Sequence, residues 1–476
     1  MTTETPKKFP PQIKYIIGNE ACERFSYYGM RAILVVYMTE YLKMASSDAT
    51  SLYHFFVSAC YLFPVLGAWI SDRWWGKYRT IMILSMGYCL GHATLAAFDG
   101  KGGMYWGLLL ISLGSGGIKP CVSAFVGDQF TAENKSLVSK VFDLFYFSVN
   151  FGSFFSTLLI PWMLPKFGPS WAFGLPGILM GIATLILWIG RAQYVNVPPT
   201  GGDGKAGFLT VLAYAVSHRA ERKPGEELMS PARAKYSAEE VEGAQAVWGL
   251  LKLFSTVSIF WSLWDQYGSS WVIQAKMMDL RIFGFPVEAA QISAINPILV
   301  MLLIPACSMY LYPGFERLTG IKLTPLRRIG GGMALTAVAF LCAAAVQLLL
   351  NRGVKLSVSW QFVQYTVITV SEVMLSITGL EFAYTQAPRS MKSTIMSLWL
   401  LTIFAGNFLT AWVDKISLFP VESVAYYLFF TALMAAVTVI FVFCAMRYTV
   451  HDYLEKGDDG PPADLEPGVA ADATTA

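Results

Sequence analysis

The stretch from Glu20 to Arg31 places charged side chains in a helical pattern just before an apolar run. Glu20, Arg24, Tyr27 and Arg31 recur at steps of four, three and four, so they share one face of a helix, with Glu23 on its flank. Charge inside a membrane span is costly, and such side chains usually face a bundle interior or a water-filled cavity. A cluster at the membrane interface is the alternative, but Arg31 lies about three turns beyond Glu20, which is too deep for it. The pattern therefore predicts a polar path through a membrane protein.

Four further predicted spans carry polar side chains on one helical face. A lone histidine in a span is usually a packing residue, but His54 shares its face with a serine and a tyrosine, and histidine titrates near neutral pH. Asn296, next to Pro297, adds an amide and a break in the backbone in another span. The four faces carry His54, Ser58 and Tyr61; Asp143, Tyr146, Asn150, Ser153 and Thr157; Trp261 and Asp265; and Glu372 and Ser376.

Lys119 follows a glycine-rich stretch, Gly114-Ser115-Gly116-Gly117-Ile118. Glycines before a lysine can form a phosphate-binding loop, but the sequence lacks the Ser or Thr after the lysine and a preceding strand. Close packing of helices explains the glycines better. A buried lysine needs a partner, for which Glu23 and Glu20 are the candidates.

The elements that must position these residues are membrane-spanning helices. The chain of 476 residues is 55% hydrophobic and only 14% charged, whereas soluble proteins carry about 25% charged residues. Runs of about 20 apolar residues predict twelve spans. Those before a central polar segment lie at about 15–42, 50–71, 79–98, 104–126, 140–163 and 171–190, and those after it at about 248–273, 288–312, 326–350, 359–384, 393–413 and 423–446.

The loops predict the orientation of the chain. Lys and Arg concentrate in the loops on the side of both termini, which indicates that both termini are cytoplasmic. Two six-helix halves joined by a basic loop are typical of transporters that bind between the halves. Residues 207–220 form either a short amphipathic helix on the membrane surface or a simple linker. The predicted parts are a cytoplasmic N-terminus 1–14, a first bundle 15–190, a cytoplasmic linker 191–247, a second bundle 248–446 and a disordered cytoplasmic tail 447–476.

Composition and motifs also exclude several functions. A net charge of +3 is too small to indicate nucleic acid as a partner. The seven cysteines lie in apolar stretches without paired spacing, so they are expected to pack rather than form disulfides or bind metal. Neither GxSxG nor HExxH occurs, so we expect no enzyme activity, metal or cofactor.

Separated charges suit a zwitterionic ligand. Arg24, Arg31 and Lys119 supply cations, whereas Glu372, with Asp265, Glu20 and Glu23, supplies anions. A peptide matches this pattern, because cations can bind its carboxylate, Glu372 its ammonium group and Asn150 its backbone amide. Aromatic walls between the charges would tolerate varied side chains.

Five motifs in this order resemble those of the proton-coupled oligopeptide transporters (POT family) of the major facilitator superfamily. They are Glu20-x-x-Glu23-Arg24-Phe25, the Gly67 to Lys77 loop, Gly116-Gly117-Ile118-Lys119-Pro120 with Gly127-Asp128-Gln129-Phe130, Phe145-Tyr146-x-x-x-Asn150-x-Gly152, and Glu381-Phe382-x-Tyr384-x-x-Ala387-Pro388. Other stretches, such as Tyr53-His54, look closer to the animal intestinal and renal peptide transporters.

The resemblance implies an all-α membrane protein with the major facilitator fold that imports di- and tripeptides with protons across the cytoplasmic membrane, and we expect a monomer surrounded by lipid. It assigns the peptide carboxylate to Arg24, Arg31 and Lys119, the amino terminus to Glu372 with Ser376 on its face, and the backbone to Asn150 and Asn296. Tyr28, Tyr61, Tyr146, Trp261 and Trp399 are then pocket residues. Glu20, Glu23 and His54, with Arg24 and Lys119, are implied in proton coupling, and Asp265 stands where many bacterial members have a proton-linked glutamate.

The sequence departs from the family pattern at several places. The loop from Asn351 to Ser357 is short where animal members carry a large extracellular domain, and Gly249 and Ser308 stand where those proteins have a charged pair. The central loop lacks the extra helix pair of many bacterial members. Relatives that carry nitrate or plant metabolites, and a sensor that binds peptide without moving it, are the alternatives; the complete ExxER motif and Glu372 argue against the first.

Overall fold

The protein is almost entirely α-helical in the computed structural model, which describes residues 9–450 apart from 132, 133, 135, 136, 200–205, 224, 387, 389 and 390. The helices α1 to α4 run over Ile13–Val36, Ser46–Ile70, Lys77–Ala97 and Lys101–Asp128. A long helix, Val138–Ile189, provides α5 and α6, and α7 to α9 run over Ala238–Trp264, Ile295–Ala306 and Pro325–Asn351. The last three, α10 to α12, run over Gln361–Glu372, Lys392–Lys415 and Val424–Arg447.

The helices give the twelve predicted spans. Among the residues that the structure describes, ten segments are long and apolar enough to cross a membrane, one of which is the segment Lys140–Ala192 of 53 residues. That segment is too long for one crossing, since about 20 residues suffice. It breaks at Gly168, whose φ of 81° is left-handed, so α5 ends there and α6 follows. The division at Gly168 turns ten spans into eleven. Helix α1 carries too many charged residues to be among the ten, and with it the count reaches twelve.

Several spans change their helical hydrogen bonding part of the way along. A π-helical turn, Val373–Ile377, follows Glu372 in α10 before the helix resumes at Thr378–Thr385. A 3-10 turn, Asp265–Gly268, follows α7 and leads to the short helix Ser270–Lys276. Such departures from α-helical geometry often mark functional sites, because they redirect side chains within one continuous helix. The 3-10 turn begins at Asp265 and the π-helical turn begins directly after Glu372, and both acidic residues were predicted from the sequence to belong to the site.

The ends of other spans are extended in the same way. α1 and α2 continue as π-helical turns over Tyr37–Tyr41 and Ser71–Trp75. α8 is preceded by a 3-10 turn, Ala289–Ala294. It is continued by a π-helical turn, Cys307–Leu311, and a short α-helix, Tyr312–Thr319. A 3-10 turn, Val358–Trp360, precedes α10. The two short strands Arg281–Ile282 and Phe285–Pro286 form an antiparallel hairpin between α7 and α8.

Glycines allow α2 and α4 to pack closely. A Cβ atom on Gly67 would lie 2.1 Å from the carbonyl oxygen of Gly117, and one on Gly116 would lie 2.9 Å from that of Cys60. No side chain fits at such separations, so the two backbones meet where only glycine is possible. The prediction that the glycines before Lys119 serve helix packing is confirmed. The seven cysteines are all free, three of them buried and four half-buried.

The linker between the halves contains a short helix, Phe208–Ser217, within the range 207–220 that the sequence indicated. Phe208, Val211 and Ala215 are buried. Helix α7 begins at Ala238, earlier than the predicted span start at 248, because Ser237 and Glu240 form a capping box that satisfies its first backbone N–H groups.

Polar contacts join the two six-helix bundles at one end of the molecule. We call the end at which α1 begins and α12 ends the terminal face, and the opposite end the far face. Lys276 pairs with Glu40 at 2.9 Å, and Lys415 with Asp48 at 3.1 Å, both at the far face. Further cross-bundle hydrogen bonds there join Ser51 to the carbonyl of Ala411 at 2.8 Å, Gln291 to that of Leu158 at 2.7 Å and Ser417 to Ser47 at 3.2 Å. The far halves of the bundles are therefore held together.

Candidate functional site

The charged residues of α1 form a buried ion cluster. Nε of Arg24 lies 2.9 Å from a carboxylate oxygen of Glu20, one helical turn earlier, and 2.5 Å from one of Glu23. All three side chains are buried. A buried charge persists only with a compensating partner, so the two carboxylates hold the guanidinium charge within the first bundle. The shared face predicted from the spacing of Glu20 and Arg24 is confirmed.

Lys119 lies among aromatic rings beside this cluster. Its Nζ sits 4.1 Å from the centroid of the Tyr61 ring and 5.1 Å from that of Tyr27. The Ser115 hydroxyl, one turn before Lys119 on α4, donates to Glu23 at 3.4 Å. Helix α4 thus brings Lys119 to the side of α1 that carries Glu23, and the close α2–α4 packing brings Tyr61 over its ammonium group. Cation–π contact stabilises such a desolvated ammonium group.

Glu372 occupies the second bundle. Its Oε2 accepts a hydrogen bond from Nδ2 of Asn296 at 2.8 Å, and the same amide donates to Thr369 at 3.2 Å. The indole of Trp264 lies beside the carboxyl group. Oε1 of Glu372 is buried without a hydrogen-bond partner among the described residues. One oxygen is therefore positioned by Asn296, while the other remains able to accept a bond from a cationic group.

Arg31 and Asp265 form an ion pair between the bundles. Nη2 of Arg31 contacts Oδ1 of Asp265, and Nε donates to the Tyr53 hydroxyl at 2.7 Å. Tyr53 reaches Arg31 because Gly268 leaves room for its ring: a Cβ at Gly268 would lie 2.1 Å from the Tyr53 hydroxyl. Arg31, which the resemblance assigned to the peptide carboxylate, is thus engaged with Asp265 in this conformation.

His54 is linked to the same ion pair through Asn407. Nδ2 of Asn407 donates to Oδ2 of Asp265 at 2.5 Å, and its Oδ1 lies 2.8 Å from Nδ1 of His54. The amide oxygen can only accept, so Nδ1 carries a proton. Nε2 lies 2.7 Å from the Ser269 hydroxyl, which can donate to a neutral imidazole or accept from an imidazolium. The network accommodates both protonation states of His54.

Asn407 was missed by the sequence analysis. It lies in the apolar stretch of α11, where one uncharged amide gives little signal, and it bonds also to the backbone carbonyl of Ile403 one turn earlier. Its position one turn before Ala411, whose carbonyl binds Ser51 of α2, places it on the face of α11 that contacts the first bundle.

The remaining predicted site residues lie in the interior of the two bundles. Tyr28, Asn150, Asn296, Ser376 and Trp399 are buried, and Tyr146 is half-buried. Nδ2 of Asn150 donates to the carbonyl of Tyr146 at 3.0 Å, which leaves its buried oxygen without a partner among the described residues. Ser153 and Thr157 of the same polar stripe are buried, and the side chain of Asp143 lies outside the described residues.

Trp261 and Trp399 form an aromatic wall. Their ring centroids are 6.4 Å apart in an edge-to-face arrangement, and Trp261 also contacts Trp264 at 5.5 Å. Gly379 makes room for Trp399, since a Cβ there would lie 2.3 Å from the indole. Within the described ranges, no three His, Cys, Asp or Glu side chains converge in a way that could hold a metal ion.

The sequence matches the model of a known protein family. The family model described as "PTR2: POT family" matches residues 78–423. This chain belongs to the POT family. The relatives and solved structures that this POT chain resembles are named as solute carriers and transporters, not as enzymes.

Human solute carrier family 15 member 2 is 37% identical to this POT chain over 395 residues, which cover 78% of the chain and 54% of the human protein. Peptide transporter 3 of Caenorhabditis elegans is 26% identical, over 95% of this chain and 94% of the relative. The chain spans about half the length of most of the curated relatives compared.

Solved structures confirm the major facilitator fold of this POT chain. The structure of the POT family transporter PepTSo superposes with a TM-score of 0.87 and 39% identity, covering 94% of this chain and all of that one. An auto-inhibited POT family peptide transporter gives the same TM-score at 37% identity, over 96% of this chain.

Proposed function

We propose that this chain is a proton-coupled symporter that imports di- and tripeptides across the cytoplasmic membrane. The observation that carries the proposal is the division of charge between the bundles. Lys119 and Arg24 belong to the first bundle. Glu372 belongs to the second, and one of its carboxylate oxygens has no hydrogen-bond partner in the described part of the chain. A zwitterion bound by both bundles would satisfy both sets, with its carboxylate at the cations and its ammonium group at Glu372. Several relatives are named as peptide transporters, which supports this substrate.

The proposal includes the organisation of the chain in the membrane. Residues 15–190 and 248–446 act as two halves that rock against each other, with 191–247 as the cytoplasmic linker. The terminal face is the cytoplasmic one, because the basic loops lie on that side. The protein works as a monomer, since each chain supplies both halves of the site.

Protons couple to peptide through the buried ion cluster. Protonation of Glu23 or Glu20 weakens the attraction of that carboxylate for Arg24, which frees the cation for the peptide carboxylate. Protonation in the His54 network alters the contact between the bundles at the far half, because His54 is linked through Asn407 to the Arg31–Asp265 pair. Proton and peptide thereby favour the same state, which is the thermodynamic requirement for coupling.

The decisive experiment is uptake of labelled dialanine into proteoliposomes with and without an inward proton gradient. Accumulation that requires the gradient, and that an uncoupler abolishes, would support the symporter. Binding of dialanine without accumulation would instead indicate a sensor, and absence of both would reject peptide as the substrate.

The coupling role of Glu23 has its own test. Glu23→Gln removes the titratable group but keeps its size and its ability to accept from Ser115. We expect it to abolish gradient-driven accumulation while counterflow exchange of dialanine continues, because exchange needs no net proton movement. Gradient-driven accumulation by Glu23→Gln would remove Glu23 from the coupling residues.

A further inference from the structure

Asp414 is a buried carboxyl group at the far face that the proposed transport mechanism does not use. It lies near the end of α11, and the residue is 2% exposed. The Tyr426 hydroxyl donates to its Oδ1 at 2.9 Å, whereas Oδ2 is buried without a hydrogen-bond partner among the described residues. Two donors or a cation normally satisfy a buried carboxylate, so this environment is incomplete for an ionised group.

The neighbour of Asp414 across the bundle interface is a hydroxyl group. Thr50 of α2 lies beside the carboxyl group. Its hydroxyl proton is engaged, because Oγ1 donates to the carbonyl of Ser47 at 3.2 Å. A hydroxyl has a single proton to donate but two lone pairs, so Thr50 can still accept. A protonated Asp414 can donate to Thr50 without disturbing that bond, whereas an ionised Asp414 can accept from Thr50 only if the bond to the Ser47 carbonyl is given up.

The other ionisable groups around Asp414 do not neutralise it. Lys415 is the adjacent residue, but its ammonium group pairs with Asp48 and its side chain is 56% exposed. Tyr427 of α12 lies near both Asp414 and Glu422, and neither Tyr427 nor Glu422 carries a positive charge. The part of the chain that the structure describes thus offers Asp414 no cation, and the hydroxyls of Tyr426 and Thr50 are the donors beside it.

We propose that Asp414 is a proton-binding site in the far-face contact between the bundles, and that the bound proton holds this contact closed. When α2 moves away from α11, water reaches the carboxyl group and it ionises. Ionised Asp414 cannot return to the dry interface without a proton, so low pH at the far face favours closure. The proton enters and leaves at the same face and is not carried across, which distinguishes Asp414 from the groups that couple protons to peptide. The site depends on no part of the proposed peptide transport.

A crosslink at the far face tests the proposal. The hydroxyls of Ser47 and Ser417 are 3.2 Å apart across the interface, so a Ser47→Cys/Ser417→Cys pair reports closure through disulfide formation. The rate is measured on the full chain in proteoliposomes, without peptide, at pH values from about 5 to 8. Each rate is divided by the rate in an Asp414→Asn background, so that the intrinsic pH dependence of the thiols cancels.

We expect this ratio to fall as the pH rises, by up to about tenfold per pH unit, because one proton is linked to closure. A ratio that stays flat would overturn the proposal. Asp48→Asn is the matched control: it removes a neighbouring exposed carboxylate, and the ratio of the Asp48→Asn rate to the Asp414→Asn rate should still fall.

Tyr426→Phe provides a second test that does not need a folded Asp414 variant. Loss of the Tyr426 hydroxyl removes the donor that stabilises the ionised carboxylate, so the fall in crosslinking should move to higher pH. An unchanged midpoint would contradict the proposal. Because neither readout requires peptide, a failure of dialanine uptake leaves both results interpretable.

Discussion

At the scale of single residues, Glu372 offers the sharpest prediction. Its Oε1 has no hydrogen-bond partner among the described residues and its Oε2 is fixed by Asn296, so an ammonium group would gain a charged hydrogen bond there. Glu372→Gln should raise the KM for dialanine about ten- to hundredfold, since such bonds contribute about 1.5–3 kcal/mol. Uptake by the variant in proteoliposomes measures this change.

Two controls make the Glu372 prediction specific. Glu381→Gln changes an exposed acid on the same span and should leave KM unchanged. N-acetyl dialanine lacks the ammonium group, so the wild type and Glu372→Gln should bind it equally. A defect of Glu372→Gln that is as large for the acetylated peptide would show that Glu372 acts elsewhere.

The Arg31–Asp265 pair yields a second prediction at this scale. Removing one partner leaves the other charge buried, which costs about 3–5 kcal/mol. Arg31→Gln and Asp265→Asn should therefore each lower the melting temperature of the detergent-solubilised protein more than the double variant does. Additive losses in the double variant would mean that the two charges do not compensate each other.

At the scale of elements, the close packing of α2 on α4 positions Tyr61 over Lys119. Gly67→Ala places a methyl group 2.1 Å from the carbonyl of Gly117, so the helices must separate. We expect a loss of about 1–3 kcal/mol in stability, as for other overpacked interiors, together with weaker dialanine binding. Gly87→Ala on α3 is the matched control, since nothing lies within 4 Å of its Cβ, and its melting temperature should not fall. Equal melting temperatures for the two variants would refute the close packing of α2 on α4.

At the scale of the whole molecule, the far-face contacts determine how readily the bundles separate. Glu40 and Glu288 lie near each other there, and burial together with the charge of Glu40 raises the pKa of Glu288, an effect that Lys166 partly offsets. Opening to water removes that burial, so ionised Glu288 favours the open form and protonated Glu288 the closed one. Lys276, paired with Glu40, opposes opening at neutral pH.

Lys276→Gln should therefore open the far face at neutral pH and recover closure in acid. The shift is expected to be at most about fivefold in the closed-to-open ratio, because a partly exposed pair contributes about 1 kcal/mol or less. The disulfide between Ser47→Cys and Ser417→Cys measures it. Lys166→Gln is the comparison, which removes the attraction of Lys166 for Glu288 across the interface and should also weaken closure. If Lys276→Gln closes less in acid than at neutral pH, then protonation of Glu288 does not favour the closed form.

The sequence by itself determined the twelve spans, the polar faces and the family. A membrane interior demands long apolar helices, and a charge within them is so costly that Glu20, Arg24, Lys119 and Glu372 are visible without a structure. Helical spacing also predicted which of these residues share a face, because side chains three and four residues apart are neighbours on any α-helix.

Only the tertiary structure decided how residues from different helices pair. Arg31 could serve a ligand or a protein carboxylate, and the choice of Asp265 depends on how the bundles meet at the far face. Asn407 and Asp414 acquire their roles from partners more than a hundred residues away, in the 3-10 turn after α7 and in α2. Helical periodicity describes one helix at a time, whereas these contacts depend on the distances and angles between helices, which no local pattern encodes.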